Sequence, residues 1–316
     1  MSTAPHRPPF HPVTTGALVL AVVAVSSSAP LVAFAAAPAL AVAFWRNLLS
    51  VAVLGPFSVA RRRAEFRSLL VGAGRREGLY CVLSGVALAA HFATWMPSTK
   101  LTSVAAATAL CATQPIWQGL IARVQGRRLP GVVWAGIGVA VVGVAVATGA
   151  DFAVSGRAVA GDLLAVAGGM FVAVYTALGE RARTTISTTT YTTICYGVCA
   201  LLLLVVCLVG GVPLAGFDAG TWAVVLALVA GAQLLGHSMF NYALRRVSAT
   251  TVSVLALLEA PGAALIGWAW LGQLPGATAL LGLALLLAGV AVVVLGGARH
   301  PRHPRAPRSC TSCPDK

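Results

Sequence analysis

The second half of the chain repeats the first at a constant offset of 146 residues. His91 recurs as His237, and the segment Gly-Val-Ala-Val at 143–146 recurs at 289–292. The repeated unit is almost wholly apolar. Because two homologous apolar halves are a common plan of secondary transporters, the repeat predicts a membrane protein of that kind.

The composition indicates that lipid solvates the chain. Of its 316 residues 58% are hydrophobic and 9% are charged, and the mean hydropathy is +0.87. This is more apolar surface than one water-soluble core hides. The net charge of +14 does not predict a nucleic-acid partner, because the basic residues lie in short clusters between apolar runs.

Ten apolar runs are long enough to cross a bilayer, and we name them the first to the tenth span. They predict an all-α integral membrane fold with a first five-helix repeat over residues 14–149 and a second over 150–297. Residues 1–13 are predicted to be disordered, and 298–316 to form a basic cytoplasmic tail. The ten runs cover residues 15–36, 38–60, 78–98, 102–123, 131–149, 160–179, 189–210, 220–243, 249–271 and 276–297.

The distribution of lysine and arginine predicts the orientation. With the N-terminus inside, nineteen of these residues fall in inside segments and only Lys100 and Arg157 fall in outside segments. Such an asymmetry is typical of inner-membrane proteins whose basic segments stay in the cytoplasm, so both termini are predicted to be cytoplasmic. Because five spans per half is an odd number, the two repeats are expected to be inverted.

Polar residues distinguish lining helices from peripheral ones. The fifth and tenth spans contain almost none, so we expect them to face lipid or a neighbouring helix through their glycines. The second, third, eighth and ninth spans contain Arg46, His91, His237 and Glu259 respectively. An ionisable side chain inside a bilayer is costly and usually faces a cavity or a partner, so these four are candidate site residues.

Glu259 is the sharpest candidate. It lies two residues before Pro261, whose ring is expected to kink the ninth span and to free the Leu257 carbonyl. The first repeat has Gln114 beside Pro115, again a polar side chain at a predicted kink. Glu259 is expected to contact substrate or a proton, and the alternatives are a structural salt bridge with Arg46 or a protonated, hydrogen-bonded carboxyl.

The two histidines have polar or aromatic companions. Trp95 and Asn241 lie one turn beyond His91 and His237, on the same helix faces. Either histidine is able to donate to a ligand or relay a proton, although a single helical histidine is more often a packing residue. Tyr175 is a further, weaker candidate for the pathway.

The sequence contains few signs of a nucleotide-binding, catalytic or metal site. The chain has no phosphate-binding loop of the Walker type, no H-E-x-x-H and no G-x-S-x-G, so neither enzymatic activity nor a cofactor is predicted. Cys310 and Cys313 form a C-x-x-C in the tail, but no second pair accompanies them and no metal site is predicted.

Five motifs carry a resemblance to a known family. The chain resembles the EamA-type members of the drug/metabolite transporter superfamily, with ten helices in two five-helix repeats. The resemblance implies a central cavity lined by both halves, peripheral fifth and tenth helices, and export of amino acids, metabolites or drugs. This chain has Gly126-Arg127 and Gly272-Gln273 where the family commonly has Gly-Glu. The matching motifs are Phe44-Trp45-Arg46, Thr113-Gln114-Pro115, 161–165, 237–250 and 257–261.

The sequence therefore predicts a secondary transporter that exports a small metabolite, amino acid or drug by alternating access. Arg46 is the candidate for a substrate carboxylate, and Glu259 for an ammonium group or a coupling proton. A non-transporting membrane scaffold, or less plausibly a membrane-embedded enzyme, is the alternative. Substrate identity and oligomeric state are left open by the sequence.

Overall fold

The computed structural model describes residues 11–28, 31–32, 35–72, 74–102, 104–149, 155–271 and 276–298. Within these ranges the chain is helical and contains no β-strand. Residues 1–10 of the predicted N-terminal segment, the Gly272-Gln273 pair and the tail with Cys310 and Cys313 lie outside the described residues. Helix α1 begins at Pro12, so the first helix starts before the predicted limit of the disordered segment at residue 13.

The first repeat contains six described helices, because the fourth span is divided into two. Helix α2 is the longest and continues for 33 residues, through Pro56 and a non-helical residue at Arg62. The helices are α1 Pro12–Ser26, α2 Ala39–Val71, α3 Arg75–Leu101, α4 Val104–Cys111, α5 Gln114–Val124 and α6 Gly131–Thr148.

The second repeat is divided at two places. The eighth span contains a π-helical segment, Val229–His237, between two α-helices, and the ninth span is divided in the same way as the fourth. The helices are α7 Gly156–Ala182, α8 Thr188–Val209, α9 Ala219–Leu228, α10 Ser238–Ala243, α11 Ala249–Ala256, α12 Glu259–Leu271 and α13 Ala277–Ala298.

Side-chain caps set the starts of four helices in the second repeat. A serine or aspartate oxygen at each N-cap accepts a hydrogen bond from the backbone N–H three residues later. Hydrogen bonds from Thr221 also lower the pKa of the Asp218 carboxyl, which keeps this cap ionised. The capping residues are Ser155, Ser187, Asp218 and Ser248.

Eight helical segments within the described ranges are long and apolar enough to cross a membrane. The ninth span is one of them, counted across its interruption as Ala249–Ile266. The helix of the first span is shorter, with 15 residues, and the two pieces of the fourth span have 8 and 11 residues. The chain is therefore a multi-pass membrane protein.

Helices α6 and α13 pack closely against each other through glycines. A Cβ on Gly143 would lie 2.3 Å from the backbone nitrogen of Leu286, and one on Gly289 would lie 2.4 Å from that of Ala140. The contacts run in opposite directions along the two helices, so the helices are antiparallel. Small residues are needed here because any side chain would separate the backbones.

Candidate functional site

The fourth and ninth spans are interrupted at equivalent positions in the middle of the molecule. Helix α4 ends at Cys111 and α5 begins at Gln114, while α11 ends at Ala256 and α12 begins at Glu259. Each interruption is a tight turn that ends shortly before the proline of the motif. The backbone N–H groups of Ile116, Ala260 and Gly262 donate to carbonyls in the preceding turn, so local hydrogen bonds bridge both breaks.

One detail of the predicted kink is wrong. The Leu257 carbonyl was expected to be freed by Pro261, but it accepts a hydrogen bond from the backbone N–H of Ala260 at 3.2 Å. The chain forms an i to i+3 turn at this point, so the carbonyl is satisfied locally. The side chain of Glu259, and not the Leu257 carbonyl, is the polar group that the break presents.

Arg46 is almost completely buried, with 2% of its surface exposed, and Gln233 binds it. The guanidinium donates from Nε and Nη2 to Oε1 of Gln233 at 2.8 and 2.6 Å. The Gln233 amide donates in turn to Asn47 at 3.1 Å. The guanidinium also lies 5.0 Å from the ring centroid of Phe92. These contacts hold the cation in one position and use two of its five N–H donors.

Glu259 is half-buried and has no hydrogen bond or ion pair within the described part of the chain. It does not form the salt bridge with Arg46 that the sequence left as an alternative, although the two charges attract each other across the site. An unpaired carboxylate inside a membrane protein is expected to face water, a ligand or a proton. The site therefore contains a cation and an anion that are held apart.

His91 is held in place by its surroundings. Its Nδ1 lies 2.9 Å from the carbonyl oxygen of Gly168 on α7, and because a carbonyl only accepts, Nδ1 carries the proton. The imidazole stacks on Trp95 with ring centroids 6.0 Å apart and planes 7° apart. The indole Nε1 of Trp95 is buried without a hydrogen-bond partner among the described residues. That N–H is free to bind a ligand.

His237 is in a different environment from its sequence equivalent. It ends the π-helical segment, is half-buried, and has no hydrogen bond within the described ranges. Single π-helical insertions in α-helices are frequent at functional sites. Both Gln233 and His237 belong to this segment, and Arg46 binds the first and acts electrostatically on both histidines.

Asn241 and Tyr175 form a buried hydrogen-bonded pair. The Tyr175 hydroxyl donates to Oδ1 of Asn241 at 3.0 Å and accepts from Nδ2 at 2.7 Å. Tyr196 extends the cluster, since its hydroxyl lies 3.5 Å from the same Nδ2 and 3.3 Å from the Ser238 hydroxyl. Asn241 thus stabilises the packing of α10 against α7 and α8.

Gln114 lies at the side of this cluster. Its amide donates to the Thr176 hydroxyl at 3.3 Å, next to Tyr175. The structure brings the eight predicted site residues together around Arg46. Electrostatic interactions connect Arg46 directly with His91, His237, Tyr175 and Glu259. The other three, Trp95, Asn241 and Gln114, are connected to it only through a neighbouring residue.

Sequence reasoning missed the residues that bind the predicted ones. None of these residues recurs as the same residue type at the 146-residue offset, so the repeat did not reveal Gln233, Asn47, Phe92 and Tyr196. A search for every amide inside an apolar run would have found Gln233 and Asn47. Within the described ranges, no three histidine, cysteine, aspartate or glutamate side chains form a metal-binding group.

An apolar cavity of about 370 Å³ opens beside the break in the ninth span. It lies between α1 and α12 and adjoins Leu258, the neighbour of Glu259. The helices approach closely below it, because a Cβ on Gly262 would lie 2.0 Å from the Ser26 hydroxyl. The lining residues are Val22, Val23, Ser26, Leu258, Pro261, Gly262, Leu265 and Ile266.

Comparison with known proteins finds one family whose sequence model matches two segments of this chain, and a solved structure with a similar fold. The sequence model described as the EamA-like transporter family matches residues 14–149 and again 159–295. None of the curated proteins matches the chain. A solved structure titled "Crystal structure of protein" is similar in fold, with a TM-score of 0.75 and 21% identity over 90% of this chain and 97% of that chain.

Proposed function

Because the chain belongs to the EamA-like transporter family, we propose that it is an inner-membrane secondary transporter with ten spans in two inverted five-helix repeats. The antiparallel contacts of α6 and α13 support the inversion. Gly136 approaches Gly289 just as Gly282 approaches Gly143, so exchanging the two repeats reproduces the same pair of contacts. A twofold axis in the membrane plane has this effect, and it gives two equivalent states for alternating access.

The observation that carries the proposal is the separation of Arg46 from Glu259. The cation is fixed by Gln233 and Phe92, the carboxylate has no partner in the described chain, and the two do not form an ion pair. A fixed structural salt bridge would have used both charges. Two separated opposite charges suit a small zwitterionic metabolite, whose carboxylate binds Arg46 and whose ammonium group binds Glu259.

The remaining site residues complete the proposed binding cavity. The free Trp95 N–H and the His237 ring offer hydrogen bonds, and Gln114, Tyr175, His91 and Asn241 shape the wall. The apolar cavity adjoins Leu258, which precedes Glu259 in the chain, and we propose that it takes an aliphatic or aromatic substituent. An amphipathic amino acid or a similar metabolite fits this combination, and the family resemblance supports export as the proposed direction.

We also propose that Glu259 couples transport to the movement of protons. A carboxylate that binds the substrate ammonium group when ionised releases it when protonated, so one group serves substrate and proton in turn. The arginine-rich segments between spans support a cytoplasmic location of both termini.

The test is counterflow into liposomes that contain the purified full chain, screened over amino acids and cationic dyes. The wild type is compared with Glu259→Gln, and Glu77→Gln is the control because Glu77 lies at the start of α3, away from the site. We expect saturable exchange that Glu259→Gln abolishes and Glu77→Gln preserves, with both variants folded.

A second measurement separates the two roles of Glu259. If Glu259→Gln retains exchange at zero pH gradient but loses uptake driven by a gradient, the residue couples protons and does not bind the ammonium group. Full exchange and full gradient-driven uptake in Glu259→Gln would refute its place in the site. The absence of exchange for every substrate in the folded wild type would favour the scaffold function.

A further inference from the structure

Two arginines lie close to one aromatic ring on the arginine-rich side of the protein. The guanidinium carbon of Arg76 on α3 lies 5.8 Å from the ring centroid of Tyr80, and that of Arg181 on α7 lies at the same distance. Arg76 Nε also donates to the Tyr80 hydroxyl at 3.0 Å. The ring thereby contacts a cation from each of two helices.

These two cations lack a counter-ion in the described chain. No carboxylate forms an ion pair with Arg76 or Arg181, and both side chains are exposed. Glu77, the residue after Arg76, lies in the first turn of α3, where the helix dipole favours it, and forms no ion pair with Arg76. Two exposed guanidinium groups on one aromatic ring, without an ion pair, form an attractive site for phosphate.

The same face of α3 continues into an exposed apolar stripe. Leu79, Leu83 and Val86 follow Arg76 at helical spacing, and they are 53%, 40% and 42% exposed. A tyrosine between basic and aliphatic residues is typical of the interface between headgroups and hydrocarbon. The surface therefore offers a phosphate site at the headgroup level and an acyl-chain surface below it.

We infer that Arg76, Tyr80 and Arg181 form a binding site for an anionic phospholipid, whose phosphate binds the two arginines and whose acyl chain lies along Leu79, Leu83 and Val86. Because α3 belongs to the first repeat and α7 to the second, a lipid bound here contacts both halves. The inference requires that the chain lies in a membrane and does not depend on its substrate.

The test is a titration of the purified full chain with phosphatidylglycerol or phosphatidylcholine of identical acyl chains, with bound lipid counted by native mass spectrometry. We expect the wild type to bind phosphatidylglycerol at least tenfold more tightly. Each cation near a membrane surface contributes roughly fivefold to the binding of an anionic lipid, so R76Q/R181Q should lose most of this preference.

Two further variants distinguish a site from general basicity. R63Q/R67Q removes the same number of exposed charges from α2 and should keep the preference. Tyr80→Leu keeps every charge but removes the ring, and it should weaken phosphatidylglycerol binding several-fold. An equal loss in R63Q/R67Q and R76Q/R181Q, no preference in the wild type, or displacement of the lipid by equimolar glycerol phosphate would each overturn the inference.

Discussion

Arg127 and Glu180 form a bidentate ion pair that joins the two repeats matched by the transporter family. Arg127 follows α5, Glu180 lies near the end of α7, and the two guanidinium nitrogens donate to the two carboxylate oxygens at 2.9 and 2.8 Å. The hydrogen bond to Glu180 raises the pKa of the Arg127 guanidinium. Arg127 stands where the resemblance implies a glutamate, so this pair rests on a residue at which the chain departs from the expected pattern.

This ion pair is expected to hold the arginine-rich side of the transporter closed. Arg127→Gln should raise the population of molecules open on that side by about fivefold, corresponding to ~1 kcal/mol for a partly exposed pair. Spin labels at Val124 and Thr184, both exposed, report the separation of the two segments when the native cysteines are replaced by alanine. A second, longer distance is expected in the variant.

The neighbouring Arg128 is the matched control, because it is exposed and forms no ion pair in the described chain. Arg128→Gln should leave the distance distribution unchanged. If Arg127→Gln also leaves it unchanged, the pair is a surface contact without a gating role.

The glycine contact between α6 and α13 gives a prediction about stability. Gly143→Ala should lower the melting temperature by several degrees, because the added methyl group meets the Leu286 backbone nitrogen at 2.3 Å and the helices must separate. Gly138→Ala on the same helix is the control, since nothing lies within 4 Å of the added atom. It should be neutral or slightly stabilising. Equal melting temperatures for the two variants would contradict the tight packing.

The coarse fold was predictable from the sequence because a segment inside a lipid bilayer must satisfy its backbone hydrogen bonds internally. Long apolar runs must be helical, and the glycines of the fifth and tenth spans left lipid or a neighbouring helix as their expected partner. The structure shows that these two helices pack against each other. The helix interruptions before Pro115 and Pro261 follow from the missing proline N–H. These features depend on local chemistry, which a single sequence contains.

The arrangement of the site was less predictable because it depends on contacts between distant helices. The repeat indicated His91 and His237 as equals, yet Gly168 binds only the first. Gln233 was overlooked since its counterpart in the first half is Ala87, and the π-helical turn that contains it has no sequence signal. The binding role of the predicted residues stays a prediction.

The different environments of the two histidines lead to different expected effects. His91→Phe preserves an aromatic ring beside Trp95 but removes the hydrogen bond to Gly168, so it should destabilise the protein by about 1 kcal/mol. His237→Phe removes no hydrogen bond of the described chain and should leave the melting temperature unchanged while it reduces transport. The same fall in melting temperature for both variants would show that His237 has a structural role too.

Gln233 separates the structural role of Arg46 from its proposed binding role. Gln233→Leu removes the acceptor of two guanidinium hydrogen bonds and leaves a buried cation without them, so it should cost about 3–5 kcal/mol of stability. Gln233→Glu supplies an acceptor of the same shape and should remain folded. The double variant R46M/Q233L removes both polar groups and should recover much of the stability that Q233L loses.

Transport by the double variant then decides what Arg46 does. If R46M/Q233L melts close to the wild type and exchanges no substrate, the cation binds the substrate and does not merely hold the second span against the eighth. A folded double variant that still exchanges a carboxylate-bearing substrate at the wild-type rate would exclude Arg46 from the binding site. Melting temperature and counterflow on the same protein preparation measure both properties, so a loss of folding is not mistaken for a loss of binding.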